Sequence, residues 1–218
     1  MARVGVVLAG CGYLDGAAVQ EAVFTLLALD RAGAEVQCFA PDVDQRKVVN
    51  HLTGDDTDER RNVLVESARI ARGKIADVAQ AKASDLDALI LPGGFGAALN
   101  LCDFAVSGPD CTVHPGVAGL VKAVHEAGKP IGAICIAPAL IAKVLGEEGV
   151  TVTIGTDQGV AQAIEAMGAV HEACPVDQMV ADRERKVVTT PAYMLGPGPK
   201  DVAAGIERCV AEVLAMVG

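Results

Sequence analysis

Short runs of Val, Ile, Leu and Ala that stop abruptly at glycine, proline or cysteine set the tightest limit on how this chain can fold. Val4–Ala9 runs into Gly10-Cys11-Gly12, Leu86–Leu91 into Pro92-Gly93-Gly94, and Ile131–Ile134 into Cys135, while Glu35–Ala40 stops at Pro41. Apolar runs this short, with little alternation, read as strands buried on both faces, the habit of parallel sheets covered by helices. Stretches of helical spacing separate them: Ala17–Arg31, Asn62–Arg72, Val117–Glu126, Ala137–Leu145, Ala161–Met167 and Asp201–Val217. Thr151–Ile154 and Lys186–Thr189 read as further strands, and Asp42–Glu59 as a polar surface segment inserted between core elements. Aromatic residues make up only 3% and there is no Trp, so an aliphatic core is required. The alternation predicts a three-layer α/β sandwich around a mostly parallel, flavodoxin- or Rossmann-like sheet, with residues 1–218 forming a single domain.

Charge narrows the range of partners. The formal net charge is −10, and no basic cluster offers itself to phosphates, so neither nucleic acid nor an anionic membrane is an expected partner. No apolar run is long enough to span a bilayer. Seven cysteines (Cys11, Cys38, Cys102, Cys111, Cys135, Cys174 and Cys209) are scattered without a C-x-x-C pair, a pattern of reduced thiols rather than of a disulfide framework. The start, Met1–Arg3, leads directly into the first strand without a separate signal region, and a cytoplasmic protein is expected. The four histidines, His51, His114, His125 and His171, make no local zinc motif with the cysteines.

In sheets of this kind, sites lie beyond the carboxyl ends of the strands. Cys135 sits there, between a buried strand and a helix, with the small residues Ala133 and Ala137 on either side. That is the pattern of a nucleophile elbow. The N–H of Ile136 would face the same space as the sulfur, and a helix start there would favour the thiolate. Gly93 and Gly94, lacking side chains, could bring backbone N–H groups to a developing oxyanion at the neighbouring strand end. Blander readings stay open for each: Cys135 as a small buried hydrophobe, Gly93-Gly94 as an ordinary turn.

The same residues carry a family resemblance. Leu91-Pro92-Gly93-Gly94, then Gly128-Lys129-Pro130 and the Ala133-Ile134-Cys135 elbow, resemble the ThiJ/PfpI superfamily of the class I glutamine amidotransferase-like fold. Within it the chain is most similar to the ElbB, or enhancing lycopene biosynthesis, group. The segments that carry this likeness are Ala9–Gly12, Asn50–Gly54, Pro92–Ala97, Cys135–Pro138, Thr153–Asp157 and Thr189–Met194. The resemblance implies a carboxylate that hydrogen-bonds the elbow cysteine, at Glu21 in the helix ending at Ala32-Gly33. Taken alone, Glu21 reads as a solvated first-turn residue; protonated, it could donate to sulfur and act as general acid and base.

The departures from the superfamily narrow the chemistry. Peptidase-like relatives place a histidine directly after the elbow cysteine, where Ile136 stands; others place one after the next strand, where Gly155-Thr156-Asp157 stands. No His-x-Glu follows Cys135, so proteolysis and glutamine hydrolysis are both disfavoured. His51 or His171 could reach the site from a loop, but a lone histidine is more often structural. The resemblance implies a glyoxalase without cofactor or metal, acting on a small dicarbonyl through Cys135 and Glu21, with a deglycase-like side activity; a homodimer is the expected assembly. The rival readings are a non-catalytic regulator of isoprenoid biosynthesis and a redox sensor in which Cys135 is oxidised.

Overall fold

Chain topology alone marks where a site should lie. The computed structural model describes every residue, Met1–Gly218. Its first half runs β1 (Arg3–Val7), α1 (Val19–Arg31), β2 (Glu35–Ala40), β3 (Val48–Val49), β4 (Asp56–Thr57), α2 (Val63–Ile70), β5 (Ile75–Asp77), β6 (Ala88–Leu91) and α3 (Phe104–Ser107). The second half runs α4 (Pro115–Glu126), β7 (Ile131–Ile134), α5 (Ala137–Leu145), β8 (Thr151–Val152), α6 (Gln158–Ala166), β9 (Val170–His171), β10 (Val180–Asp182), β11 (Val187–Thr190) and α7 (Pro199–Ala215).

The central sheet has the order β10-β11-β7-β6-β1-β2-β5. Every neighbouring pair is parallel except β10 with β11. The chain enters at β1, builds outward through β2 and β5, then returns to the other side of β1 and builds through β6, β7 and β11. The strand order therefore reverses between β1 and β6, and the loops at the carboxyl ends of those two strands splay apart to leave a crevice. Helices cover both faces: α1 packs against α7 on one, and α4 against α5 on the other.

Burial explains why the runs were so apolar. Val4, Val6 and Val7 of β1, all of β6 and all of β7 are buried, and all of these but Gly132 belong to one core cluster of 51 residues. Side-chain caps fix two helix starts: Asn62 accepts the N–H of Val65 at 3.0 Å, and Asp157 that of Val160 at 2.8 Å.

Three expectations need correction. The apolar stretch at Thr151–Ile154 forms strand only at Thr151–Val152, and β8 pairs in parallel with β9 outside the central sheet. Two strands of the central sheet went unread, β5 and β10, each at an edge and only three residues long, as did β9 outside it. The polar segment Asp42–Glu59 is not all surface: it holds the antiparallel pair β3–β4, with Val48 and Val49 buried.

Candidate active site

Strand β7 ends at Ile134, and the next residue turns sharply. Cys135 has φ +62°, a left-handed conformation that only four non-glycine residues of the chain adopt. Such a backbone costs on the order of 1–3 kcal/mol and persists only where its surroundings hold it. Here the Cys135 N–H donates to the Thr190 carbonyl at 2.9 Å, which ties the turn to the end of β11. Helix α5 begins at Ala137, with Pro138 in its first turn, where a missing N–H costs nothing. The side chain of Cys135 is thereby held above the sheet.

The turn after β6 presses directly against it. A Cβ added to Gly93 would lie 2.4 Å from the Cys135 Cβ, 2.7 Å from the Ile134 oxygen and 2.8 Å from Glu21 Oε2, so only glycine fits. The Gly93 carbonyl accepts the Ala18 N–H at 2.9 Å, docking this turn onto the start of α1. Glu21, one turn along α1, then projects beneath the sulfur. It is fully buried; Oε2 accepts the Gly93 N–H at 3.1 Å, Oε1 accepts the Tyr193 N–H at 3.3 Å, and the carboxyl hydrogen-bonds the Cys135 thiol. Tyr193 reaches this position from a tight turn after β11 in which Ala192 has φ +44°.

The structure thus brings Cys135, Glu21, Gly93, Gly94 and Ile136 together, with two changes of role. Gly93 is not free to hold an oxyanion, because its N–H is spent on Glu21. The N–H groups that face the sulfur are those of Gly94 and Ile136. The second change concerns the thiolate. Burial first, and then the charge of Glu21, raise the Cys135 thiol, and they outweigh the two N–H groups that act the other way. A helix start alone does not make the thiolate here.

Burial also raises Glu21 to about 7, against the hydrogen bonds from Cys135, Tyr193 and Gly93, which lower it. Below that pH the pair holds two protons; above it one remains, and the raised thiol places it on sulfur. The direction for stability follows. A buried carboxyl raised from 4.5 to about 7 favours the folded state fully below its unfolded pKa, and that contribution is lost as pH rises through about 7. The loss is on the order of 3 kcal/mol. Urea unfolding of the wild type is expected to show it between pH 5 and 8 at roughly that size, and Glu21→Gln to lack that fall, keeping only the opposite contribution of the lowered His171. Equal slopes in the two proteins would remove Glu21 as the cause.

A cavity of about 780 Å³ opens over Cys135 and Ile136. The loop after β1 forms part of its wall, stitched to the β6 turn by the Phe95 N–H to the Tyr13 carbonyl at 2.8 Å and the Gly96 N–H to the Gly16 carbonyl at 2.9 Å. His51 lines it too, delivered by the β3–β4 connection. Its Nδ1 lies 3.0 Å from the Val49 carbonyl and its Nε2 3.2 Å from the Leu14 nitrogen, which assigns the proton to Nδ1. Behind it Asp15 is buried: Oδ2 accepts the Val49 N–H at 2.8 Å, while Oδ1, 3.8 Å from His51 Nε2, has no hydrogen-bond partner. His171 lies elsewhere, its Nε2 3.4 Å from the Ile154 nitrogen in the β8–β9 region. His125 pairs with Glu148 at 2.8 Å, and His114 precedes α4. No three His, Cys, Asp or Glu side chains converge as metal ligands would.

Two residues of this arrangement escaped the sequence reading. Tyr193 contributes through its backbone N–H, which no side-chain identity announces, although Thr189–Met194 stood among the family-like segments. Asp15 lies in the loop after Gly12 and reads as any loop acid until its burial is known.

With this geometry in place, likeness to other proteins becomes informative. The DJ-1/PfpI family model matches residues 9–193. The chain belongs to the DJ-1/PfpI family. Glutamine amidotransferase-like class 1 domain-containing protein 3, mitochondrial, from Homo sapiens is 50% identical over 227 residues, covering 100% of this chain and 84% of that protein. The crystal structure of an isoprenoid biosynthesis protein with amidotransferase-like domain from Ehrlichia chaffeensis superposes with TM-score 0.94 at 36% identity, over 100% of both chains. Glyoxalase III from Candida albicans has TM-score 0.64 at 14% identity, covering 100% of this chain and 98% of that one, a likeness of fold alone. The sandwich is therefore the class I glutamine amidotransferase-like fold of this family.

The cytoplasmic expectation does not stand, because curated relatives are named as mitochondrial proteins. Unpaired, scattered cysteines mark a reducing environment, and that condition does not single out the cytoplasm.

Proposed function

We propose that this family member is a cofactor-independent glyoxalase, taking glyoxal, the simplest 1,2-dicarbonyl, to glycolate. The observation that carries the reading is the buried Glu21 carboxyl set against the Cys135 thiol, beneath the N–H groups of Gly94 and Ile136. When the pair's one proton passes from sulfur to Glu21, the sulfur is a thiolate and adds to one aldehyde carbon, forming a C–S bond and an alkoxide. Gly94 and Ile136 stabilise that alkoxide. Glu21 protonates it, then carries the C–H proton from the thiolated carbon to its neighbour, leaving a thioester of glycolate. Water cleaves the thioester and returns the thiol, so the sum is one glyoxal and one water to one glycolate.

The missing histidine is no obstacle to this chemistry. A Cys–His pair would be needed to protonate an amine leaving group, and an aldehyde addition has none. Glyoxal consumption and glycolate release, measured for the wild type beside Cys135→Ala, test the reading. Glycolate production is expected from the wild type alone, with Cys135→Ala at the uncatalysed rate. A wild type no faster than Cys135→Ala would leave the field to the regulator or the redox sensor, neither of which turns over a dicarbonyl.

A further inference from the structure

The cavity above Cys135 is much larger than glyoxal. Its volume is about 780 Å³. Water takes about 30 Å³ in the liquid, so a dialdehyde of four non-hydrogen atoms would fill roughly a tenth of the space. Cavities of this size ordinarily enclose ligands several times larger.

The lining tells what kind of ligand. Phe95, Ala98, Phe104, Ala105, Val160 and Met194 supply much of the wall. No Lys, Arg, Asp or Glu lines the cavity. A carboxylate, phosphate or ammonium on the substrate would give up part of its hydration there and meet no opposite charge. An apolar group would gain by leaving water. A two-carbon dialdehyde can use none of that wall, since its two carbonyls are both committed to the sulfur and the proton transfer.

We propose that the electrophile this site takes is a 2-oxoaldehyde bearing a bulky, uncharged apolar substituent, aryl or alkyl, which packs on the Phe95–Phe104 wall. This deepens the glyoxalase reading and rests on it. The chemistry keeps its balance: the thiolate adds to the aldehyde carbon, the C–H proton moves to the ketone carbon, and water cleaves the thioester. The product is the 2-hydroxy acid carrying the same substituent. Because the ketone oxygen and aldehyde oxygen stay at the Gly94 and Ile136 end, the substituent is the only part left to enter the wide, apolar region.

Initial rates with glyoxal, phenylglyoxal and 4-carboxyphenylglyoxal test this, each read as its 2-hydroxy acid and each divided by its rate of addition to a free thiol. Each methylene moved from water to an apolar site is worth roughly a factor of four, so kcat/KM for phenylglyoxal is expected to exceed that for glyoxal at least tenfold. The 4-carboxy compound should lose most of that advantage. Ala105→Phe, at an exposed position of α3, and Val160→Trp, at a half-buried position of α6, should each reduce the phenylglyoxal-to-glyoxal ratio at least fivefold by filling the space. A normalised ratio of one or less, an equal rate with the 4-carboxy compound, or a ratio unmoved by both substitutions would overturn the proposal while leaving the glyoxalase reading intact. Absence of Cys135-dependent turnover with all three compounds would sink the reading and the proposal together.

Discussion

Glu21→Gln is expected to lower glyoxal turnover by about two to four orders of magnitude, the usual contribution of a positioned general acid–base. The amide is nearly the same size as the carboxyl, and it can still donate a hydrogen bond to sulfur. It cannot carry a proton. It also cannot satisfy both backbone donors, because Oε1 and Oε2 each accept an N–H, from Tyr193 and Gly93, and an NH₂ group facing either would be repelled. The amide oxygen should keep the Gly93 contact, the shorter at 3.1 Å, and give up the one at 3.3 Å to Tyr193.

A pH profile separates lost proton transfer from a disturbed turn. In the wild type, kcat/KM should rise through about pH 7, because loss of the pair's second proton creates the state that can present a thiolate. In Glu21→Gln that rise should move to higher pH, since burial alone still raises the thiol. The ionisation that arms the site is the same one that weakens the fold as pH rises towards 7, so activity and stability pull in opposite directions at a single buried carboxyl. Unchanged turnover in Glu21→Gln would take this residue out of the mechanism.

Which parts of this were legible in the sequence follows from what burial does to composition. Strands β1, β6 and β7 are covered on both faces and so must be apolar throughout; their runs stand out, and with them the turns that end them. Edge strands β5 and β10 pair on one side only and are three residues long, so Ile75-Ala76-Asp77 and Val180-Ala181-Asp182 carry too little pattern to read. The elbow was visible because a sharp turn demands small neighbours, here Ala133 and Ala137. Glu21 was visible only through family likeness: nothing local distinguishes a buried carboxyl at a helix start from a solvated one, and its burial depends on Gly93 and Tyr193, far away in the chain. His51 could be named only as a loop histidine able to reach the site, because the segment that carries it takes its fold from two buried valines and from Asp15, which holds the Val49 N–H.

Gly93→Ala is expected to cripple the site through one added methyl. The conformation is not the difficulty, since Gly93 does not have a positive φ; space is. The new Cβ would fall 2.4 Å from the Cys135 Cβ and 2.7 Å from the Ile134 oxygen, and neither atom can swing away as a long side chain would. Either the β6 turn lifts or Cys135 is pushed along its own strained turn. Overpacking of this kind costs about 1–3 kcal/mol of stability. Its effect on rate should be larger than that figure implies, because the same shift withdraws the Gly93 N–H from Glu21 and moves Gly94 away from the sulfur. Displacement of reacting groups by about 1 Å can cost roughly a hundredfold. The matched control is Gly119→Ala, in the exposed interior of α4, where an added Cβ meets nothing within 4 Å. That change should stabilise by about 0.5–1 kcal/mol through helix propensity and leave kcat/KM alone. Urea midpoints and glyoxal kcat/KM for the two variants decide the matter: if Gly93→Ala matches Gly119→Ala in both, the close approach of the β6 turn to Cys135 is not what holds the site together.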